Sequence, residues 1–296
     1  MSACLAACHT PKTDKRSSEE DVMVIKRTVL AMVSLTILVV CIQTIAAQAV
    51  TIPSQTHSRK VIQLPGILHK PDGEGPFPAV LMLCGCAGYG SEPDSTHQST
   101  WAERLVGWGY VALQLDSFSP RGAPNGVCDR PGIVYALDRA DDAYSAKSYL
   151  TTLPFVDPKN IAVIGWSHGG AAVMSIVDGY ASDKGVSPFK AAVAFYPYCN
   201  RFLYGPDMPV LVLMGKKDDW SPLAGAEVLK EEYKDNEWNL EFSLKVYLNA
   251  THAFDIETLP AGGVDFPGHH MEYDPEATSD AIAETQAFLA KYIGLK

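Results

Sequence analysis

The chain has 296 residues, a length that at roughly 150 residues per domain points to two domains. Hydrophobic residues make up 47% and charged residues 20%, which excludes disordered, collagen-like and coiled-coil chains; 24 basic against 34 acidic residues, net −10, leaves no basic footprint for nucleic acid or anionic lipid. Seven cysteines are too few for a small disulfide scaffold, so the core has to come from apolar burial.

Residues 1–22 are polar and charged, without apolar period, and the composition changes at Met23. Lys26 and Arg27 form a positive segment, residues 28–42 an apolar one, and Ala47-Gln48-Ala49 presents small residues where a signal peptidase reads. The pattern predicts a Sec-type signal peptide over 23–49, translation from Met23 with 1–22 as an upstream extension of the gene, and a mature chain from Val50. The alternative is an uncleaved anchor, because the apolar stretch approaches the ~20 residues that a spanning helix needs. The Ala-Gln-Ala site favours cleavage, hence an exported protein, periplasmic or secreted, with no stable membrane association. The mature chain keeps Cys84, Cys86, Cys128 and Cys199.

From there strands and helices alternate. Residues 78–84 form a buried apolar strand stopped by Gly85. Residues 99–108 place Trp101, Leu105 and Trp108 at helical spacing before Gly109, and 110–115 form a second strand. The same reading predicts helices at about 134–150, 169–179 and 222–235, with strands at 161–165, 190–196, 209–214 and 242–248. The last helix has a clear start, with Asp274 as N-cap, Pro275 at the first helical position and Glu276 in the first turn. This alternation predicts a single α/β domain over residues 50–296, a mainly parallel sheet with helices on both faces.

Residues 161–172 compress a strand, a sharp turn and a helix start, with Ser167 at the apex between Gly165 and Gly169. A G-x-S-x-G elbow exposes a serine hydroxyl above the sheet, at a helix N-terminus that favours negative charge. Such a serine needs a base, and the base needs an orienting carboxylate. Asp218 follows the 209–214 strand, and His252 lies just beyond the 242–248 strand; the order Ser167, Asp218, His252 is that of the α/β-hydrolase triad. Asp219 is the rival acid, less well placed because Gly215, Asp218 and Pro222 fit the usual acid loop. His168 directly follows the nucleophile, so its side chain should point away and its backbone N–H should serve an oxyanion hole. The second donor is expected from residues 84–88, at the N–H of Cys86.

Several stretches together resemble the dienelactone hydrolase family of α/β-hydrolases over about residues 60–294. These are Leu83-Cys84-Gly85-Cys86-Ala87-Gly88, the run from Gly109 to Gly122, Arg139-Ala140-Asp141-Asp142-Ala143, the Gly165 to Gly170 elbow, Phe195-Tyr196-Pro197-Tyr198-Cys199 and Tyr273-Asp274-Pro275-Glu276-Ala277. The resemblance implies an α/β-hydrolase fold and a cofactor-free hydrolase with a nucleophile, His, Asp triad acting on a small-molecule ester or lactone. The chain departs from the founding members in two ways: Ser167 replaces a cysteine nucleophile, and Cys84 stands where a histidine commonly precedes the glycine. A serine depends more on its base than a thiol does, which moves the expectation toward general carboxylic ester hydrolysis.

Other residues leave two readings each. Arg121, in the loop after the 110–115 strand, is placed either to bind a substrate carboxylate bidentately or to fix its loop through a salt bridge. Trp166 and Trp220 are expected at the substrate pocket or in the core, as are Tyr196 and Tyr198. In an exported chain Cys128 with Cys199 is the first choice of disulfide, since Cys84 and Cys86 are too close in sequence to bridge each other. A Cys/His zinc site is disfavoured because no CxxC or HExxH spacing accompanies it. His269-His270 reads as a solvated loop, and Asp141 and Asp142 as a helix surface or its salt bridges. The rival functions are a polyester or cutin hydrolase, a serine peptidase, and a binding protein that kept the fold without the chemistry.

Overall fold

The computed structural model describes residues 47–55, 60–90, 94–200, 204–266 and 268–294, all of which belong to one compact unit. The elements are β1 (Ala47–Gln55), β2 (Val61–His69), β3 (Phe77–Leu83), α1 (Asp94–Gly107), β4 (Val111–Leu115), α2 (Ala136–Thr151), β5 (Val156–Trp166), α3 (His168–Val177), α4 (Tyr180–Lys184), β6 (Ala192–Phe195), β7 (Val210–Gly215), α5 (Leu223–Asp235), β8 (Phe242–Tyr247), β9 (Val264–Asp265), β10 (His270–Met271) and α6 (Pro275–Ile293). Eight strands form one sheet in the order β1-β2-β4-β3-β5-β6-β7-β8. It is parallel from β4 to β8, while β2 runs antiparallel to β4 and β1 antiparallel to β2.

Every residue of β3, β4, β6 and β7 is buried. Parallel strands covered on both faces read as continuous apolar runs, which is why they stand out in the sequence. On β5 the alternation of side chains separates the two faces. A Cβ on Gly165 would point at Gly169 and Val173 of α3, whereas the Trp166 ring meets Trp101 of α1. Helices therefore cover the sheet on opposite sides, with α2 packed beside α3. Asp274 caps α6 as expected, accepting hydrogen bonds from the N–H groups of Glu276 and Ala277.

The hairpin of β1 and β2 was not among the expected strands. Both strands alternate buried and exposed residues and carry prolines, Pro53 opposite Gln63 and Pro65 opposite Thr51. Proline withholds a ladder donor and is tolerated near a sheet edge, so it hides a strand from pattern reading. Most of the proposed signal peptide lies outside the described residues, but Ala47, Gln48 and Ala49 begin β1 and pair with His69, Leu68 and Ile67. Among the described residues no helix is long and apolar enough to cross a membrane. The two-residue strands β9 and β10 form a separate hairpin, and Met271 bridges to His252.

The cysteine pairing differs from the expected one. Cys128 is bonded to Cys86, and Cys84 and Cys199 are free thiols, both buried. The sheet order explains this: β3 and β4 are neighbours, so the loops that leave them, carrying Cys86 and Cys128, meet above the sheet. Cys199 follows β6, two strands further along.

Candidate active site

The strand register brings the functional loops level with one another. Leu83 at the end of β3 pairs with Gly165, Trp166 pairs with Phe195 at the end of β6, and Gly215 at the end of β7 pairs with Tyr247. The loops beyond β3, β5, β7 and β8 thus leave the sheet at one edge, where open α/β sheets bind ligands.

Ser167 sits between β5 and α3 with φ 50° and ψ −114°, a conformation that costs a non-glycine residue about 1–3 kcal/mol. The turn closes only because its flanking residues lack side chains. A Cβ at Gly165 would lie 2.3 Å from the carbonyl oxygen of Gly169, and one at Gly169 would lie 2.0 Å from that of Leu83.

His252 Nε2 lies 2.9 Å from Ser167 Oγ, and its Nδ1 lies 2.8 Å from Asp218 Oδ2. A carboxylate only accepts, so Nδ1 carries the proton and Nε2 is left to accept from the serine hydroxyl. Asp218 is oriented by its own loop, since its Oδ1 accepts from the N–H groups of Trp220 and Ser221 at 2.9 and 2.8 Å. Asp219 points elsewhere, exposed and 3.2 Å from His269 Nδ1. The His252 ring is buried, with Tyr196 and Trp220 at centroid distances of 4.7 and 5.1 Å.

Among the described hydrogen bonds, neither the N–H of Cys86 nor that of His168 is taken up. Both belong to segments packed against the serine: a Cβ at Gly85 would stand 3.7 Å from Ser167 Cβ. The His168 side chain turns away, its Nε2 3.0 Å from the Val134 carbonyl oxygen and its Nδ1 3.1 Å from Arg139 Nη1. Burial, helped by the Arg139 guanidinium, pushes its pKa down to about 4, so the ring is neutral and committed. The same Nη1 of Arg139 donates to the Cys84 carbonyl at 2.9 Å, and its guanidinium lies over the Phe118 ring. Arg139 ties the loop after β3 to the start of α3. Burial raises the Cys84 thiol to about 12, which makes it inert at neutral pH.

Two cavities meet at the serine. The larger, about 580 Å³, reaches from Trp166 and Tyr196 to the segment after His252; the smaller, about 210 Å³, extends past His168 to Tyr198 and Pro131. Ser167, Trp220 and the Cys86–Cys128 disulfide line both. A serine hydroxyl on a His–Asp relay beside two N–H donors that are unused among the described hydrogen bonds has the parts for acyl transfer.

Residues 64–293 match the sequence profile of the dienelactone hydrolase family. The chain belongs to the dienelactone hydrolase family. A dienelactone hydrolase-like promiscuous phosphotriesterase from metagenomic libraries superposes with a TM-score of 0.64 at 21% identity, covering 84% of this chain and all of that one (100%). The apo form of Thermogutta terrifontis esterase 2 gives 0.61 at 18% identity, covering 86% and 98%. In sequence the chain is 25% identical over 154 residues to lipase 1 of a Moraxella species, spanning 52% of this chain and only 43% of that protein. These likenesses support the fold found here.

Of the remaining residues singled out in the sequence, Trp166 and Trp220 line the large cavity, and Tyr196 and Tyr198 line the large and small ones respectively. Arg121 does neither. Its Nη1 and Nη2 donate to the two oxygens of buried Asp142 at 2.7 and 3.0 Å, and Nη1 also reaches the Ser117 carbonyl, so of its two readings the structure shows the loop-fixing ion pair. Asp142 also accepts from Ser54 Oγ of β1, and Asp141 accepts from the Tyr180 hydroxyl. His269 stacks on Trp220 and His270 pairs with Asp265, both on the solvated loop that the sequence suggests, with His270 44% and Asp265 76% exposed. Among the described residues no group of three His, Cys, Asp or Glu side chains is arranged to hold a metal.

Sequence reasoning missed Asp255. Its buried carboxylate accepts from His97 Nε2 (2.8 Å), Trp101 Nε1 (3.0 Å), Trp166 Nε1 (3.1 Å) and the Tyr196 hydroxyl (2.7 Å). Burial alone would raise its pKa, but the adjacent His97 and the hydrogen bonds from His97, Tyr196 and Trp101 together hold it below the usual carboxylate range. The only signal was a carboxylate placed directly after Ala253 and Phe254, with no partner nearby in sequence.

Proposed function

We propose that the chain is an exported carboxylic ester hydrolase in which Ser167, His252 and Asp218 form the catalytic triad. The observation that carries this reading is the continuous relay of 2.8 and 2.9 Å from Asp218 through His252 to a serine on a strained elbow. Ser167 Oγ attacks the ester carbonyl carbon as His252 Nε2 takes its proton. Asp218 keeps Nδ1 protonated and stabilises the imidazolium that forms. The N–H groups of Cys86 and His168 receive the oxyanion, in a pocket from which the substrate displaces water. His252 then delivers the proton to the departing alkoxide, releasing the alcohol; a water deprotonated by the same nitrogen attacks the acyl-serine, and as the acyl C–Oγ bond breaks His252 returns that proton to Ser167 Oγ, releasing the acid.

Ser167→Ala should lower turnover of p-nitrophenyl butyrate by about 10⁴–10⁶ without altering the fold. A fluorophosphonate probe should label wild type at Ser167 and leave the variant untouched; full activity in Ser167→Ala would overturn the assignment. Export is supported by the apolar segment ending in Ala47-Gln48-Ala49 and by a disulfide of the kind that persists in oxidising compartments. Cleavage after Ala49 would leave β1 from Val50 to Gln55 paired with β2. N-terminal sequencing of the exported protein tests this, and a start upstream of Val50 counts against it.

A further inference from the structure

We infer that the ester taken at this site is uncharged, with an apolar group as its bulkier substituent, and that carboxylate-bearing esters and lactones are rejected. The inference rests on the ester hydrolase reading and adds the polarity of the substrate. It comes from the composition of the cavity walls. The outer wall of the large cavity is built by Ile256, Leu259, Val264, Phe266 and Met271, all from the segment that follows His252. Val264 and Phe266 are 37% and 45% exposed, so the rim keeps apolar surface open to water at the mouth of the site, which marks a place where an apolar group docks. An apolar substituent buried there gains in proportion to the area it removes from water.

The charged lining has one sign. Asp94 and Asp129 face the large cavity, and among the described residues no lysine or arginine lines either cavity. Asp94 lies beside the oxyanion loop, its Oδ1 3.4 Å from where a Gly85 Cβ would be. Asp129 has Arg130 at 3.6 Å, but both side chains are largely solvated, so that pair is weak. Among the described residues, two arginines of the neighbouring segments are spent: Arg121 on Asp142, and Arg139 on the Cys84 carbonyl and His168. The histidines are spent as well, His97 on Asp255 and His252 on Asp218. Among the described residues that line the cavities, a substrate carboxylate would meet no lysine or arginine in exchange for its lost water, and would face Asp94 and the more solvated Asp129.

The test compares two p-nitrophenyl glutarates of equal length, one with a free second carboxylate and one capped as its methyl ester, at low ionic strength. Wild type should show kcat/KM at least tenfold higher for the capped ester. The ratio should narrow at least threefold in Asp94→Asn/Asp129→Asn, and Phe266→Arg, a change at the exposed rim, should raise turnover of the free acid relative to the capped ester. Labelling of Ser167 by a fluorophosphonate together with equal or better cleavage of the free acid overturns this inference and leaves the hydrolase reading standing. No labelling and no cleavage of either ester overturns the hydrolase reading and this inference with it.

Discussion

Asp255 offers the sharpest test of what holds the site in place, through the pair Asp255→Ala and Asp255→Asn. Its Oδ2 accepts three hydrogen bonds, from His97, Trp101 and Trp166, and its Oδ1 accepts one from Tyr196. Asparagine can place its carbonyl oxygen at the three-donor position and turn its amide toward the Tyr196 hydroxyl, which rotates to accept. What it loses is charge assistance, about 1 kcal/mol for each of three bonds, or about 3 kcal/mol in all. Alanine leaves four buried donors without an acceptor, at about 1–3 kcal/mol each; allowing for water entering the space, the loss should be about 4–8 kcal/mol, comparable with the whole stability of many domains. Urea unfolding followed by tryptophan fluorescence reads this directly, because Trp101 and Trp166 are among the donors. The carboxyl is held below its usual range, so its stabilisation is complete above the unfolded value of about 3.9 and is lost as pH falls through the folded one; the Asn variant should lack that acid limb. A loss under about 1 kcal/mol in Asp255→Ala, well below the cost of orphaning even a few buried donors, or an Asn variant less stable than the Ala variant, would refute the reasoning.

Three further outcomes follow from the same geometry. Opening the Cys86–Cys128 bond, which spans 42 residues, by Cys128→Ser should cost about 4 kcal/mol of stability on loop entropy alone and lower kcat by loosening the Cys86 N–H, with unfolding and turnover measured on the same preparation. Arg121→Met leaves the buried Asp142 carboxylate unpaired and should cost about 3–5 kcal/mol, most of it recovered in Arg121→Met/Asp142→Leu; a raised KM with stability unchanged would instead make Arg121 a substrate ligand. His168, whose pKa is pushed down to about 4, binds a proton more readily unfolded than folded, so stability should fall as pH drops from about 6.5 toward 4, and urea midpoints across that range should be flatter in His168→Gln.

The sequence showed those features whose cause is local. Gly165, Ser167 and Gly169 announce the elbow because the turn itself forbids side chains there, and the central strands announce themselves because burial on both faces leaves no polar positions. Asp218 and His252, which lie in hydrogen-bond reach of each other and of Ser167, could be singled out because each follows a strand whose end can be read. The features that were misread or missed depend on which strands are neighbours. Cys128 finds Cys86 rather than Cys199 because β4 lies beside β3, an order that chain sequence does not state. The salt bridge open to Arg121 finds its partner, which the sequence did not name, on α2, and Asp255 collects donors from α1, from β5 and from Tyr196, just past the end of β6. Pairings of that range leave no periodicity to detect, only a charged residue in an apolar setting.

These long-range pairs explain how the strained serine is held. The residue before Ser167, Trp166, is fixed through its indole N–H to Asp255 on the α1 side of the sheet. The residue after it, His168, is fixed at both ring nitrogens, by Val134 and by Arg139 of α2. A positive φ at a serine persists only where its surroundings over-determine it, and here one buried carboxylate and one buried guanidinium grip the two neighbours of Ser167. The same two groups reach the other residues of the proposed site. Asp255 holds Tyr196, whose ring packs on His252, and Arg139 holds the Cys84 carbonyl two residues before the Cys86 N–H. Loosening either clamp should therefore impair catalysis along with stability, by letting the elbow relax away from the base or the oxyanion donors away from the carbonyl. A substitution at Asp255 or Arg139 that destabilised the fold yet left kcat unchanged would break this link between the buried charges and the elbow.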